Sequence, residues 1–125
     1  MKLYTAQIPK WRALKTAGIP LIDATIKSGK EPSGAPSVFA PSCELVQGYL
    51  RGEITPEQYT ETYTKDMRLS FQQHTTRWLE ILNQDTVAIG CYCKPGAFCH
   101  RLLLVDFFRK VAEANQIPFE YLGEF

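Results

Sequence analysis

The chain has 125 residues, of which 45% are hydrophobic, 22% charged and 12% aromatic. That length suits one domain over residues 1–125, and so ordinary a composition excludes collagen, coiled coil and a disordered chain. Fourteen Lys and Arg against thirteen Asp and Glu leave a formal net charge of +1, so no global field points to nucleic acid, which only a local patch could serve.

In chain order, Lys2 to Ile8 alternates apolar and polar residues up to Pro9 and predicts a first strand. Lys10 to Ala17 predicts a short helix with Trp11 and Leu14 on one face and Gly18 past its end. Ile19 to Ile26 is mostly apolar and predicts a strand buried on both faces. The turn-rich segment Ser28 to Pro36 predicts a loop leaving that strand. Ser42 is placed to cap a helix over Cys43–Arg51, with Gly52 past its end. Thr55-Pro56-Glu57-Gln58 reads as a capping box, after which Tyr59, Tyr63 and Met67 share one helical face. A further helical stretch carries Phe71, Trp78, Leu79 and Leu82 and ends at Asn83. Thr86 to Cys91 predicts a central strand, Cys91 to His100 a tight loop, and Arg101 onward a helix whose buried stripe is Leu104, Phe107, Phe108 and Val111. Pro118 to Leu122 predicts the last strand. The sum is an α/β chain, a three-layer sandwich around a small, mostly parallel sheet of about four strands.

Met1 to Gln7 lacks the apolar run and cleavage site of a signal peptide, and no stretch approaches the roughly 18 apolar residues of a membrane span. The expectation is a cytoplasmic protein with no membrane partner, whose four cysteines are reduced, metal-bound or reactive rather than a disulfide framework.

Ligands of open α/β sheets bind at the carboxyl ends of the strands. Three stretches fall on that edge: Asp23 to Gly29, Cys91 to Arg101, and Tyr121 to Glu124. The second packs three cysteines, a histidine, a lysine and an arginine between a strand and a helix. The helix has no Ser, Thr, Asp or Asn at the obvious cap position, so its first N–H groups want an external acceptor, and an anion bracketed by Lys94 and Arg101 is one solution. The bland reading pairs Arg101 with an acid on a neighbouring loop and leaves the N–H groups to water.

The cysteines admit three readings. A thiol here would be activated by the helix end and Arg101. A phosphatase loop is excluded, because it needs Arg six positions after the Cys, and Cys99 stands there after Cys93. Cys91, Cys93, Cys99 and His100 form an irregular zinc set, lacking the usual spacing, and no other cofactor is implied. Cys91 at a buried strand end is equally a small apolar residue. Asp23 is either a general base, a ribose ligand or an ordinary loop cap. His74 reads as a surface or packing histidine, and Cys43 has no partner in sequence. Tyr49, Tyr59 and Tyr63 read as core-facing, with one hydroxyl free to line a cleft.

These residues resemble the bacterial and phage family called domain of unknown function 488. Asp23 with Lys27-Ser28-Gly29 is similar to its D-x₃-K-S-G segment, Phe39-Ala40-Pro41-Ser42 to its F-A-P-[ST] helix entry, and Cys91-Tyr92-Cys93-Lys94 with Gly96, Phe98 and Cys99-His100-Arg101 to its signature. Gly52 to Thr55, Glu57 to Tyr59, Tyr63, Met67-Arg68-x-Ser70 and the closing Gly123-Glu124 match in the same order. The resemblance implies a Rossmann-like fold and a single site containing Asp23, Lys27, Arg68, Cys91, Cys99, His100 and Arg101; it supplies no substrate. Many members carry Arg two residues after the strand-end Asp. Thr25 stands there in this chain, with Lys27 as the substitute.

Asp23, Cys91, Cys99 and His100 are thus the candidate catalytic residues, and Lys27, Ser28, Arg68, Lys94, Gly96 and Arg101 the candidate ligand-binding ones. The leading expectation is an enzyme acting on a nucleotide or nucleic-acid component, with a small phosphorylated ligand or nucleotide as partner. The alternatives are a non-catalytic nucleotide- or partner-binding protein, and a zinc- or redox-responsive Cys/His protein. Oligomeric state is not legible in the sequence.

Overall fold

The computed structural model describes residues 1–93 and 98–125. β1 (Lys2–Gln7) passes through a single 3-10 turn at Ile8–Lys10 into α1 (Trp11–Thr16). Gly18, at φ 74°, then reverses the chain in a conformation glycine takes without penalty. β2 (Leu21–Asp23) follows, then α2 (Cys43–Leu50), α3 (Pro56–Gln73), α4 (Thr75–Leu82), β3 (Thr86–Cys91), α5 (His100–Ala114) and β4 (Glu120–Glu124).

The caps form as their chemistry demands. The Ser42 hydroxyl accepts the Leu45 N–H at the start of α2. The capping box of α3 closes both ways, Gln58 N–H donating to Thr55 Oγ1 at 3.1 Å and Thr55 N–H to Gln58 Oε1 at 2.9 Å. Thr55→Ala is expected to lower stability by about 1 kcal/mol. A urea unfolding midpoint that does not move would show that this cap contributes nothing.

The four strands are all parallel, in the order β2-β3-β1-β4. Strand alternation sorts their side chains. Leu3, Val87 and Ile89 enter the larger core with α2 to α5, whereas Ala6 and Ala88 meet Leu14 of α1 on the opposite face. The result is an α/β sandwich in which one face carries four helices and the other a single short one. The larger core centres on Trp78, whose ring lies 4.9 Å from Phe39 and 4.8 Å from Phe108. The long connection after β2 is tied down by its backbone and an ion pair: Tyr63 Oη donates to the Phe39 carbonyl, Ser70 Oγ to the Val38 carbonyl, and Arg77 Nε meets Glu31 at 2.6 Å. Among the described residues no helix is long and apolar enough to cross a membrane.

Three expectations are corrected. The apolar run 19–26 is not a strand buried on both faces. Only Leu21–Asp23 pairs, along one side of β3, and these residues are half-buried because β2 is an edge strand. Pro20 precedes it, and the Asp23 carboxylate ends it by accepting from Thr25 N–H and Oγ1. Trp11 does not share the buried face of Leu14. It is half-exposed under the Arg12 guanidinium, since α1 is too short to bring its first residue onto the sheet. The last strand also runs two residues later than its pattern suggests, starting where Lys2 pairs with Glu120.

Because all strands are parallel, their carboxyl ends share one edge. Cys91 pairs with Gln7, Asp23 with Gly90, and Glu124 with Thr5.

Candidate functional site

At that edge β3 delivers Cys91, and the start of α5 returns Cys99, His100 and Arg101 to it. The three sulfurs of Cys91, Cys93 and Cys99 lie within 4.8 Å of one another. Cys91 Sγ and Cys99 Sγ are 2.8 Å apart, and both residues are buried. Arg101, itself 1% exposed, donates from Nη1 to Cys91 Sγ at 2.7 Å and to the Cys93 carbonyl at 2.8 Å, while its Nη2 meets Glu124 at 3.1 Å. A guanidinium so deeply buried needs counter-charge. Glu124 supplies one negative charge and the Cys91 thiolate the other.

Hydrogen bonds from the Cys93 and Cys99 thiols, reinforced by Arg101, hold Cys91 far below the ordinary thiol range despite its burial. The same bonds, given rather than received, push Cys99 and Cys93 up. The cluster is therefore one thiolate served by two thiol donors and one cation.

His100 is buried and its imidazole is held neutral by that burial. Its Nε2–H donates to the Ala24 carbonyl at 2.7 Å, so Nδ1 keeps the lone pair and faces Cys99 Sγ at 3.7 Å. Asp23 is occupied within its own loop: it accepts from Thr25 N–H, from Thr25 Oγ1 at 2.7 Å and from Ser28 Oγ at 2.5 Å. Ser28 Oγ also lies 3.1 Å from Tyr92 Oη, which ties the β2 loop to the cysteine loop. A side chain at Gly29 would collide with the Asp23 and Thr25 carbonyls, which explains glycine after Lys27-Ser28.

Beside the sulfurs opens a cavity of about 220 Å³ lined by Tyr49, Tyr59, Phe98, Cys91, Cys99 and His100, with Ile26, Lys27, Leu50 and Tyr92 among its further walls. Tyr49, Tyr59 and Phe98 form an aromatic group with ring centroids 5.3 to 5.5 Å apart. The walls are almost wholly apolar, and among the described residues Lys27 adds a positive charge to them, opposite in sign to the Cys91 thiolate. Burial pushes the Tyr59 hydroxyl up, so it stays neutral.

The structure thus brings Cys91, Cys93, Cys99, His100 and Arg101 together, with Asp23, Lys27 and Ser28 on the adjoining loop. Arg68 is not among them. It is exposed on α3, beside Phe71, Phe107 and Lys110, and nine residues along the helix from Tyr59, about 13 Å. Lys94 and Gly96 lie outside the described residues. Arg101 holds the thiolate and Glu124 rather than offering an open fork to an anion. The start of α5 has no side-chain cap, as its sequence indicates. Sequence reasoning put Tyr121 to Glu124 on this edge and weighed an acid as the partner of Arg101 without naming Glu124; it gave Phe98 and the Ala24 carbonyl no role.

The three sulfurs are close enough to hold a metal ion, but the donor set suits zinc poorly. The positive charge beside Cys91 is already Arg101, which also lies 3.8 Å from Cys99 Sγ, so a dication held by these sulfurs would face a buried like charge.

A model of the DUF488-N3a family, described as the active DUF488-N3 subclade, matches residues 36–112. The chain belongs to the DUF488 family. The matched stretch takes in α2, α3, α4, β3 and most of α5, hence all four cysteines, His100 and Arg101. Asp23 and Glu124 of this DUF488 protein lie outside it. No curated protein and no solved structure matches the chain.

Proposed function

We propose that this DUF488 protein is a cysteine-dependent enzyme acting on a nucleotide or nucleic-acid component, with Cys91 as nucleophile. The observation that carries this is Cys91 Sγ, 2.7 Å from the buried Arg101 guanidinium and 2.8 Å from Cys99 Sγ, at the wall of an aromatic cavity. A cavity of about 220 Å³ with apolar walls admits one flat, uncharged ring system, and Tyr49 and Phe98 present ring faces and edges for it to pack on. The uncapped start of α5 and the Lys27 ammonium at the rim supply the positive character that an attached phosphate needs. Ring and anion together describe a nucleotide better than a sugar phosphate, which would leave the aromatic walls unused. Cys91 would attack the substrate, the bond to the leaving group breaking as Cys99 gives that group its proton, and His100 Nδ1 would take a proton from the water that then releases the Cys91 adduct. Arg101 and Glu124 position the thiolate without touching substrate. The description of the subclade as active favours turnover over simple binding.

The test is a thermal-shift panel of nucleotides, nucleosides and sugar phosphates, followed by incubation of each stabilising compound with wild type and Cys91→Ser. Nucleotides should stabilise both proteins, and only wild type should convert them. If no phosphorylated ring compound raises the melting temperature, the ligand class is wrong. A nucleotide that stabilises wild type and is recovered intact after long incubation would make the protein a binder.

A further inference from the structure

We infer that Cys91 and Cys99 form a peroxide-oxidisable thiol pair, in which Cys91 attacks a small hydroperoxide and Cys99 resolves the product to a disulfide. This rests on the reading of Cys91 as a thiolate and assigns the cluster an activity separate from any action on nucleotides. Three observations meet here. The two sulfurs are 2.8 Å apart, whereas a disulfide is about 2.05 Å long, so closure needs less than 1 Å of movement. Cys91 is paired with a cation, and the thiolate is the form that reacts with peroxides. The cavity that both sulfurs line is large enough for a small hydroperoxide. Cys43 is excluded from the chemistry, being exposed at the start of α2 outside the three-sulfur cluster.

The chemistry balances in two steps. The Cys91 thiolate attacks the outer peroxide oxygen; an S–O bond forms, the O–O bond breaks, and the leaving oxygen departs with its electron pair and takes a proton from solvent to become water or an alcohol. Arg101 Nη1, 2.7 Å from the sulfur, is placed to stabilise that negative oxygen. Cys99 then attacks the Cys91 sulfenic acid. The S–S bond forms, the S–O bond breaks, the Cys99 proton goes to the departing hydroxide, and water leaves. The two thiols are oxidised by two electrons and the peroxide is reduced by two; an external dithiol restores the pair. The disulfide consumes the counter-charge of Arg101, so the oxidised protein retains a buried cation with Glu124 as its remaining partner. Oxidation should therefore lower the melting temperature, the reverse of what a cross-link ordinarily does.

The experiment treats reduced full-length protein with one equivalent of hydrogen peroxide, blocks the remaining thiols and maps them after chymotrypsin, which cuts after Tyr92 and Phe98 and so separates Cys91, Cys93 and Cys99. Free thiols should fall from the four in the chain by two, joining the Cys91 and Cys99 peptides, with a lower melting temperature that dithiothreitol restores. Cys99→Ser should leave a sulfenic acid at Cys91 that a cyclic diketone traps, and Cys93→Ser should form the same disulfide as wild type. A cross-link to Cys93 or Cys43, a cross-link between chains, or full retention of thiols in wild type and Cys93→Ser would overturn the inference. Failure here is distinct from failure of the nucleotide reading. A reduced protein stabilised by nucleotides but inert to peroxide would sink only the thiol pair, and the converse would sink only the nucleotide.

Discussion

Replacing Arg101 by methionine is expected to lower stability by roughly 3–5 kcal/mol, the usual loss when one partner of a buried ion pair is removed. Methionine fills much of the volume, so the loss reports charge and hydrogen bonding rather than a cavity. Three acceptors lose their donor at once: Cys91 Sγ, the Cys93 carbonyl and Glu124. Glu124, 25% exposed on its side chain, can turn to water, but the other two are far less free. The Cys91 thiol escapes part of the penalty by taking up a proton, which moves it back toward the ordinary thiol range. Two measurements therefore move together. The urea midpoint falls, and the pH at which iodoacetamide begins to alkylate Cys91 rises. Arg101→Lys should recover the charge but not the fork, since one ammonium cannot span Cys91 and Glu124 together. If Arg101→Met were alkylated at Cys91 as fast as wild type at pH 6, Arg101 would have no part in holding the thiolate.

Stability is also expected to climb by about 2 kcal/mol between pH 7 and 9 and to decline above it. In the folded protein Cys91 is ionised across this range, whereas in the unfolded chain it titrates near the ordinary value of 9.0. A folded thiol held below its unfolded value contributes its full stabilisation above pH 9 and loses it as the pH falls, because the unfolded chain then binds a proton that the folded one does not. His100, held neutral by burial, adds a loss of the same sign below its ordinary 6.5. Above pH 9 the direction reverses. Cys93 and Cys99 are kept protonated by the bonds they give to Cys91 while their unfolded counterparts ionise, and buried Tyr59 and Tyr63 follow above 10. Urea unfolding at pH 7, 8, 9 and 10 reads the profile directly. Cys91→Ser should lose the rise between pH 7 and 9, and a wild-type curve flat over that interval would contradict the assignment of the thiolate to Cys91.

Much of the fold was legible in the sequence because its signals are local. Ser42 and Thr55 mark helix starts through side-chain oxygens that reach only to the next turn, and both caps form as their residues indicate. Tyr59, Tyr63 and Met67 bury together because helical spacing alone puts them on one face. The run 19–26 misleads for a related reason: apolar content indicates that residues avoid water, but not how many neighbours a strand has. Strand order put β2 at an edge, and an Asp23 turn shortened it. Arg68 shows the same limit: a position in a family pattern does not say which side of a helix faces the cleft, and the structure leaves Arg68 exposed on α3 away from the cysteines.

The sequence by itself determined that three cysteines, a histidine and an arginine stand at the junction of a buried strand and an amphipathic helix, for their spacing within eleven residues requires no long-range contact. Only the tertiary structure decided which of them is charged. Arg101 finds Glu124 23 residues away on β4, and His100 finds the Ala24 carbonyl 76 residues back at the end of β2. Tyr49 and Tyr59 arrive from α2 and α3 to wall the cavity. Parallel strand order brings these ends to one edge, and propensity and periodicity, which register only neighbours within a turn or two, carry no record of it.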